Sequence, residues 1–596
     1  MWSHNARNEI WADLSQPWDI IVIGGGITGA GVLREAARAG LRVLLVEQRD
    51  FAWGTSSRSS KLVHGGLRYL KEGKLRLTRA AVRERERLLD EGPGLIDPLG
   101  FLLATYKGEG PGRRITGAGL SIYDLLALQW THHYFKAADF QLLAPYIAPE
   151  GLQGGFQYGD AQTDDARLVL RVIQEAVADG GAALNYVQAV DLTRDVRGKV
   201  AGARLHDLVA GRQADVSARL VVNATGAWAD QLRSAIGRDP RIRPLRGSHL
   251  IFDGWRLPVT QAVSFLHPVD RRPVFIFPWE GITLVGTTDV DHTGPLDEEP
   301  RISPDEVAYL MAAVATQFPT LSLKLDDILA TFAGIRPVIG SGKANPSKES
   351  RDHVIWHESG LLTVTGGKLT TFRCIALDAL KTARGRLPSP WPVWQGQDGL
   401  AHLKAKKSVL NPVNLILPSL GGLGEAWRRR LLGRYGADAP ALLEAARPAE
   451  LAEIPGTHTL WAELRWASRA EAVVHLDDLL LRRVRLGLLL PNGGGAILPQ
   501  VRAICQGELG WDDARWESEQ AAYLALSQRC YSLPDRAAIP DWRPLLARAR
   551  AHRLTWRQTR RRRIKRSSVA GGVSTALVML GAWLWRRRRR RARGGL

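Results

Sequence analysis

Three glycines and one acid near the N-terminus have the types and spacing to hold a dinucleotide. Gly24, Gly26 and Gly29 form a G-x-G-x-x-G pattern, and Glu47 follows 18 residues after the last glycine. In such a pattern the first glycine allows a tight turn, the second lets the backbone approach a pyrophosphate, and the third packs a helix against a strand. The acid accepts hydrogen bonds from the adenosine ribose and would repel a 2′-phosphate, which disfavours NADP.

The flanking sequence predicts the elements that must position these residues. Residues 19–23 are apolar and β-branched after Asp19, residues 30–39 have a helical pattern, and residues 41–46 form a second run that is apolar except for Arg42. A glycine-rich turn without a ligand is the alternative, but strand, turn, helix, strand and acid follow one another within about 30 residues. The helix N-terminus would present free N–H groups and a positive dipole end to the phosphates.

A segment rich in hydroxyl groups and glycine, residues 50–70, comes directly after the acid. Its side chains and backbone amides can wrap an extended cofactor, although a polar loop with a helix cap is the simpler interpretation. The candidates for cofactor contact in this segment are Thr55, Ser56, Ser60, Lys61 and Leu62.

The string GTSSRSSKLVHGGLRYL at 54–70, with IGGGITGAG at 23–31 before it, resembles the aerobic FAD-dependent glycerol-3-phosphate dehydrogenase family. That family belongs to the wider D-amino-acid-oxidase-like flavoproteins. Later segments match the family pattern in order, so the resemblance spans roughly residues 17–530: 164–170, 220–226, 247–249, 286–289, 334–337, 362–373 and 465–487. The matches depart from the family around residues 349–353 and at Phe372.

The resemblance implies FAD as the cofactor and adds residues from the later segments to its site. These are Gly226, Gly367, Lys368, Leu369 and Thr370. The strand, glycine turn and helix at 362–373 would bring a helix N-terminus and a lysine to the flavin, where negative charge develops on reduction.

The reaction that the resemblance implies is oxidation of sn-glycerol 3-phosphate to dihydroxyacetone phosphate, with electrons passed to a membrane quinone. Family positions nominate a set of substrate-binding residues: Arg68, Tyr69, Thr288, Arg351 and Lys368. His64 or His249 is the candidate base, because the pKa of histidine suits proton transfer near neutrality. Arg336 has too high a pKa to act as a base and would stabilise negative charge on the substrate oxygen.

Metal chemistry and nucleophilic hydrolysis have no support in the sequence. There is no H-E-x-x-H, no C-x-x-C and no G-x-S-x-G. The three cysteines, Cys374, Cys505 and Cys530, are too widely spaced for a disulfide framework, which suggests a reducing compartment. The first 19 residues lack the apolar stretch of a secretory signal.

The net charge of +21 is concentrated at one end of the chain. Residues 542–596 contain 18 Lys and Arg and no acid, so subtracting these 18 from +21 leaves +3 for the rest. A nucleic-acid-binding protein would spread basic residues over a folded face, and no nucleic acid is expected as a partner.

The basic tail contains a candidate membrane segment. Residues 567–585 are uncharged, with Trp583 and Trp585 at one end and arginine runs on both sides. A helix of that length is about 28 Å long, close to the roughly 30 Å of bilayer hydrocarbon. The segment either spans the membrane or lies in its inner leaflet; a disordered basic tail is the plainer alternative. Either membrane arrangement predicts contact with anionic lipid and a location at the cytoplasmic face of the membrane (the inner membrane in a bacterium).

The expected architecture is α/β: a Rossmann-like FAD-binding domain interleaved with an antiparallel-sheet substrate domain, then a helical C-terminal domain and a basic hydrophobic tail. The expected bounds are 17–395 for the interleaved pair (substrate part mainly 95–150 and 245–350), 396–535 for the helical domain and 536–596 for the tail.

Two rival functions stay open at this point. One is oxidation of another small hydroxy or amino acid, and the other is a non-catalytic membrane-bound flavoprotein scaffold. The sequence does not decide whether a quinone or oxygen accepts the electrons. It also leaves the oligomeric state open, and a homodimer is one possibility.

Overall fold

The computed structural model describes residues 4–67, 70, 73–108, 112–340, 342, 349, 352–388, 417 and 424–547. Its strands are β1 (Trp18–Ile23), β2 (Val43–Val46), β3 (Leu62–Val63), β4 (Ile96–Tyr106), β5 (His133–Lys136), β6 (Leu152–Thr163), β7 (Ala182–Leu184), β8 (Val187–Arg194), β9 (Val200–Asp207), β10 (Gln213–Asn223), β11 (Ile242–Asp253), β12 (Ala262–Leu266), β13 (Pro273–Trp279), β14 (Ile282–Gly286), β15 (Val290–Asp291), β16 (Ile328–Ile339), β17 (Val354–Glu358) and β18 (Leu361–Thr365).

The α-helices of the same residues surround these strands and form most of the C-terminal part. They are α1 (His4–Ala12), α2 (Ile27–Arg38), α3 (Leu75–Glu91), α4 (Arg113–Ala127), α5 (Ala137–Leu143), α6 (Asp165–Ala178), α7 (Ala229–Ser234), α8 (Pro304–Gln317), α9 (Phe372–Ala383), α10 (Glu425–Tyr435), α11 (Ala439–Ala445), α12 (Trp461–Ala470), α13 (Leu486–Leu489), α14 (Leu498–Leu509) and α15 (Asp513–Leu526).

The first sheet has the parallel order of a Rossmann-like fold. Within the described residues its main path runs β17-β18-β10-β1-β2-β7, and β8 and β9 extend it from β10. The strands from β18 to β7 are parallel neighbours, and β2 and β18 are buried along their whole length. Such strands are apolar throughout because both faces of the sheet are covered. On one face, Ile21 of β1 packs in a buried cluster with Leu192 of β8 and Leu205 of β9, and helices cover the other face, where Ile20 lies. Helices α2, α6 and α9 contribute Leu33, Val172 and Ile375 to the same buried cluster.

The second sheet is mainly antiparallel. In the described part of the chain its path runs β15-β11-β14-β13-β12-β4-β6-β3, with β16 paired to β11 and β5 paired to β6. The strands come from two stretches of sequence, 62–163 and 242–339, which alternate with the three stretches that form the first sheet. The segment at 50–70, which we call the cofactor segment, follows β2 of the first sheet, and its residues 62 and 63 form β3 of the second sheet. The two sheets therefore meet where that segment runs.

The helical C-terminal part is fastened to the first sheet by buried ion pairs. Arg482 and Arg483 donate to Asp50, just after β2, at 2.6 and 2.7 Å, and Arg167 of α6 pairs with Glu471. The last described residues then return to the second sheet, where Trp542 packs against its apolar core. The predicted α/β fold class is confirmed, whereas the exact domain bounds remain predictions.

No helix in the part of the chain described above is long and apolar enough to cross a membrane. The candidate segment 567–585 lies outside the described residues.

Candidate active site

The glycine turn after β1 has the geometry of a pyrophosphate cradle. A Cβ at Gly29 would lie 1.9 Å from the Gly24 carbonyl oxygen, and a Cβ at Gly24 would lie 2.6 Å from that of Ala224, so both positions need glycine for packing. A Cβ at Gly26 would have only Ser56 atoms within 4 Å, the hydroxyl oxygen at 3.1 Å. Packing therefore restricts Gly26 less than Gly24 and Gly29, and the space beside it suits a bound phosphate at the start of α2.

Two side chains from later segments complete this turn. The Ser56 hydroxyl accepts a hydrogen bond from the Ile27 backbone N–H at 2.9 Å and so caps α2. Glu47 accepts from the backbone N–H of Gly25 at 2.7 Å and of Arg49 at 2.9 Å, while burial raises the pKa of its carboxyl group. Each carboxylate oxygen has a further lone pair, which fits the ribose contact expected of Glu47.

A cavity of about 2030 Å³ lies between the two sheets and brings together residues from distant segments. Its volume is large enough for both a dinucleotide and a small substrate, and it is lined by many residues predicted from the sequence: Thr55, Ser60, Leu62, His64, Thr288, Arg336, Gly367, Lys368, Leu369 and Thr370. Gly24, Gly26, Gly29, Glu47, Ser56, Lys61, Gly226 and His249 are not among the lining residues.

Lys61 points into the interior. Its ammonium group donates to Asp165 at 2.9 Å and to the Ser57 carbonyl at 3.1 Å, and burial lowers the pKa of Lys61 to about 8. Asp165 also accepts from both the backbone and the hydroxyl group of Ser59. In this position Lys61 supports the cofactor segment from the protein interior, through its contacts with Asp165 and the Ser57 carbonyl.

His249 lies behind Ser60. Its side chain is buried and stacked on Phe332, and Nε2 lies 2.9 Å from the Ser60 hydroxyl, which lines the cavity. Burial lowers the pKa of His249 well below its usual value, and the nearby charges of Arg336 and Lys61 act in the same direction. The imidazole is therefore neutral at neutral pH and reaches the cavity only through Ser60.

His64 lies at the cavity wall on a loop held by a buried carboxylate. The Gly65 backbone N–H donates to Asp160 at 3.0 Å, and Asp160 also accepts from Arg85 at 2.7 Å and from the Tyr123 hydroxyl at 3.0 Å. On the other side, the Thr370 hydroxyl donates to the His64 carbonyl at 3.3 Å. The loop is thus fixed between the second sheet and the 362–373 segment.

Arg336 is a cation of the cavity wall that neighbouring side chains hold in place. Its guanidinium group pairs with Asp289 at 2.9 Å and donates to the Thr287 hydroxyl at 3.0 Å, yet about a quarter of the side chain stays exposed. The Thr288 hydroxyl donates to Glu306 at 2.6 Å and accepts from the Ser248 N–H at 2.8 Å. Thr288 is therefore engaged inside the protein, although it borders the cavity.

The glycine turn after β18 joins the first sheet to the cavity. Gly366 and Gly367 have φ values of 77° and 78°, and Leu369–Thr371 forms a 3₁₀ turn that leads into α9. Lys368 lines the cavity, and its Nζ is buried. Gly226 begins a short 3₁₀ turn nearby, and its carbonyl accepts from Thr365 at 3.2 Å.

Several lining residues were missed by sequence reasoning. Arg58, Asp160, Arg271 and Arg272 all border the cavity. Arg58 lies inside the cofactor segment, and this place in the sequence is the signal that could have nominated it. In the structure it is paired with Glu299. Three predicted substrate residues, Arg68, Tyr69 and Arg351, lie outside the described residues.

Comparison with known proteins places this geometry among flavoenzymes. The family model "FAD dependent oxidoreductase" matches residues 19–373, and the model "C-terminal domain of alpha-glycerophosphate oxidase" matches residues 396–516. The aerobic glycerol-3-phosphate dehydrogenase of Staphylococcus haemolyticus is 34% identical, over 79% of this chain and 87% of its own. That of Staphylococcus aureus is 35% identical, over 78% and 86%.

Solved structures agree with the sequence comparison. The glycerol-3-phosphate dehydrogenase from Bacillus halodurans, complexed with FAD, superposes with a TM-score of 0.68 at 28% identity, covering 89% of this chain and 98% of that one. The FAD-bound L-alpha-glycerophosphate oxidase from Mycoplasma pneumoniae, at 19% identity and a TM-score of 0.50, shares the fold over 63% of this chain and 97% of its own.

Proposed function

Since the chain belongs to the FAD-dependent glycerol-3-phosphate dehydrogenase family, we propose that it oxidises sn-glycerol 3-phosphate to dihydroxyacetone phosphate and passes the electrons to a membrane quinone. The observation that carries the proposal is the cavity in which the turn after β18, Arg336 and His64 meet. The family cofactor, FAD, supplies the acceptor for the hydride that leaves the secondary carbinol carbon.

The FAD site is formed by residues of both halves of the chain. Gly24, Gly26 and the start of α2 would hold the pyrophosphate, and Glu47 would hold the adenosine ribose. Thr55, Ser60 and Leu62 would contact the part of the cofactor that enters the cavity, and Gly367–Thr370 would contact its ring system.

Arg336 stabilises the negative charge that develops on the substrate oxygen. Asp289 and Thr287 fix the guanidinium group from behind, so it needs little reorganisation during the reaction. Because arginine stays protonated at any working pH, it cannot accept the hydroxyl proton.

His64 is the proposed base, because this residue lines the cavity, whereas His249 lies behind Ser60. His249 is assigned a supporting role: as a neutral ring it fixes the orientation of the Ser60 hydroxyl that borders the same cavity. The substrate phosphate requires fixed cations, and Lys368 and Arg272 at the cavity wall join Arg68 and Arg351 as candidates.

Membrane attachment through the C-terminal tail completes the proposal. A quinone is found in the bilayer, and residues 548–596 carry basic runs on both sides of the uncharged 567–585 segment. We assign the enzyme to the cytoplasmic face of the membrane on this basis.

The direct test is anaerobic titration of the purified flavoprotein with sn-glycerol 3-phosphate while the flavin absorbance is recorded. We expect the flavin to bleach with this substrate and to respond far more weakly to glycerol, which lacks the phosphate. Bleaching by another hydroxy or amino acid instead would assign a different substrate, and retained FAD without bleaching by any of them would favour a non-catalytic role. Adding vesicles that contain quinone should then restore the oxidised spectrum.

A further inference from the structure

Arg272 directly precedes β13 and borders the large cavity, which makes it a candidate ligand of the substrate phosphate. Two of its three side-chain nitrogen atoms, however, already donate to protein groups. Nε donates to the Asp270 carboxylate at 2.6 Å, and Nη1 donates to the backbone carbonyl of Asp289, also at 2.6 Å. The second of these bonds connects Arg272 to the residues that surround Arg336.

Residues 287–289, which we call the link segment, hold the guanidinium group of Arg336. That group donates to the Thr287 hydroxyl at 3.0 Å, to the Thr288 carbonyl at 3.4 Å and to the Asp289 carboxylate at 2.9 Å. The position of the guanidinium group at the cavity wall therefore depends on where the link segment lies.

The link segment joins β14 to β15 and, among the described residues, takes no part in the strand pairing of the sheet. Side chains hold it in place of a ladder of backbone hydrogen bonds. The Thr288 hydroxyl accepts from the Ser248 N–H at 2.8 Å and donates to Glu306 at 2.6 Å. The bond from Arg272 to the Asp289 carbonyl holds the other end of the segment.

Arg272 is itself fixed from the side that faces away from the link segment. Asp270 accepts from the backbone N–H of Arg272 at 3.1 Å as well as from Nε, and it also accepts from the Tyr309 hydroxyl at 3.0 Å. The guanidinium carbon of Arg272 lies 5.7 Å from the centre of the Tyr309 ring. A chain of contacts thus runs from α8, which contains Tyr309, through Arg272 and Asp289 to Arg336.

We propose that Arg272 is a positioning residue for the oxidation: through Asp289 it holds Arg336 where negative charge develops on the substrate oxygen. This deepens the proposed function and rests on it. A guanidinium group that is fixed before the reaction stabilises developing charge without having to reorganise, and loosening the segment that holds it removes this advantage. A direct bond from Arg272 to the substrate phosphate is the alternative, and it predicts a different kinetic pattern.

The test is a double-mutant cycle in the full-length, FAD-loaded enzyme. Arg272→Met and Arg336→Met are made singly and together, because methionine keeps an apolar stem and removes every donor. Anaerobic stopped-flow reduction of the flavin at increasing sn-glycerol 3-phosphate gives a limiting rate and an apparent Kd for each variant. Flavin content and melting temperature are recorded for all of them.

Arg256→Met is the matched control. Arg256 also donates to a carboxylate, that of Asp327 at 2.6 Å, and to a backbone carbonyl, that of Leu321 at 3.1 Å. Arg256 lies in the connection between β11 and β12 of the same sheet and is not among the residues that line the cavity. We expect this variant to keep the limiting rate of the unsubstituted enzyme.

We expect Arg272→Met to lower the limiting rate by about tenfold to a hundredfold, because a misplacement of about 1 Å near the reacting atoms can cost the larger factor. The apparent Kd for glycerol 3-phosphate should change little. In the Arg336→Met background, Arg272→Met should lower the rate by no more than about twofold, because there is then no guanidinium group to position. If Arg272→Met does not retain flavin, Arg272→Lys, which keeps the charge and an ammonium donor, takes its place in the cycle.

Two outcomes overturn the proposal. An unchanged limiting rate in Arg272→Met excludes a positioning role, and a raised apparent Kd with that rate would identify Arg272 as a phosphate ligand. Rate losses that multiply in the double variant would show that Arg272 acts independently of Arg336. Failure of flavin reduction by glycerol 3-phosphate in the unsubstituted enzyme would instead refute the proposed function.

Discussion

Tyr123→Phe tests whether the buried cluster under α4 positions the active-site loop. The Tyr123 hydroxyl donates to Asp160 at 3.0 Å, and Asp160 in turn holds the Gly65 N–H beside His64. Tyr123 and Asp160 are both buried, and burial raises the pKa of the Asp160 carboxyl group. The substitution removes this hydrogen bond to a buried carboxylate and also the one that the Tyr123 hydroxyl accepts from Arg85 at 3.2 Å. Arg85 is then the remaining side-chain partner of Asp160.

The size of the effect follows from the kind of bond. A hydrogen bond to a charged group contributes about 1.5–3 kcal/mol, so the free energy of unfolding should fall by about that amount. If the loop bears the whole loss, the rate of flavin reduction should fall by about tenfold to a hundredfold, since each 1.4 kcal/mol is a factor of ten. The apparent Kd for glycerol 3-phosphate should change less, because His64 is proposed to act on the hydroxyl proton and the cations hold the phosphate.

Anaerobic stopped-flow reduction of the flavin and denaturant unfolding measure the two effects separately. Tyr134→Phe is the matched control, because the Tyr134 hydroxyl makes one exposed bond, to the Gln153 carbonyl, on the same sheet. We expect the control to keep both the rate and the stability. If Tyr123→Phe lowers stability while the reduction rate stays that of the unsubstituted enzyme, the cluster is structural only and the positioning argument fails.

Three further substitutions test other parts of the site. Gly29→Ala should abolish both folding and flavin content, since its Cβ would meet the Gly24 carbonyl. Gly26→Ala should leave the melting temperature within a few degrees and lower the ratio of bound flavin to protein. A flavin content in Gly26→Ala equal to that of the unsubstituted protein would contradict the assignment of this turn as the pyrophosphate cradle. Arg336→Met should slow flavin reduction by about 10²–10³-fold with correct folding, as removal of a charge-stabilising donor does, and a loss below tenfold would exclude that role. His249 has a folded-state pKa below that of the unfolded chain, so its stability contribution is full above about pH 6.5 and is lost as the pH falls below that value. In His249→Gln the pH dependence of unfolding should be shallower there by up to about 1.4 kcal/mol per pH unit, and an unchanged slope would show that His249 is protonated in the folded enzyme.

Local patterns predicted the first strand, turn and helix well. The run at 19–23 forms strand β1, observed as Trp18–Ile23, because a short apolar β-branched run between turn signals is typical of a buried strand. The predicted helix at 30–39 instead begins at Ile27. Its N-terminal cap is the hydroxyl group of Ser56, 29 residues away, and no local signal contains that contact.

The parts that depended on distant contacts were not predictable from the sequence. Matched motifs nominated Lys61 as a cofactor ligand and His249 as a base, but a motif does not say which way a side chain points. Lys61 turns inward because Asp165, 104 residues later, offers a buried partner. His249 lies behind Ser60 because the pairing of β11 with β16 stacks its ring on Phe332. Asp160 of β6 joins the Gly65 loop to Arg85 and Tyr123, and no pattern in the sequence indicates that these segments meet.

The pairing of Asp50 with Arg482 and Arg483 limits how this enzyme can move. All three side chains are buried, and pulling the C-terminal helices away from the first sheet would break the three hydrogen bonds among them, each of which contributes about 1.5–3 kcal/mol. A hinge between these parts is therefore too costly to serve as the gate in each catalytic cycle. Substrate must enter and product must leave through the mouth of the cavity. The loops around the mouth therefore determine how fast substrate and product exchange. The C-terminal helices and the first sheet should unfold together in one calorimetric transition.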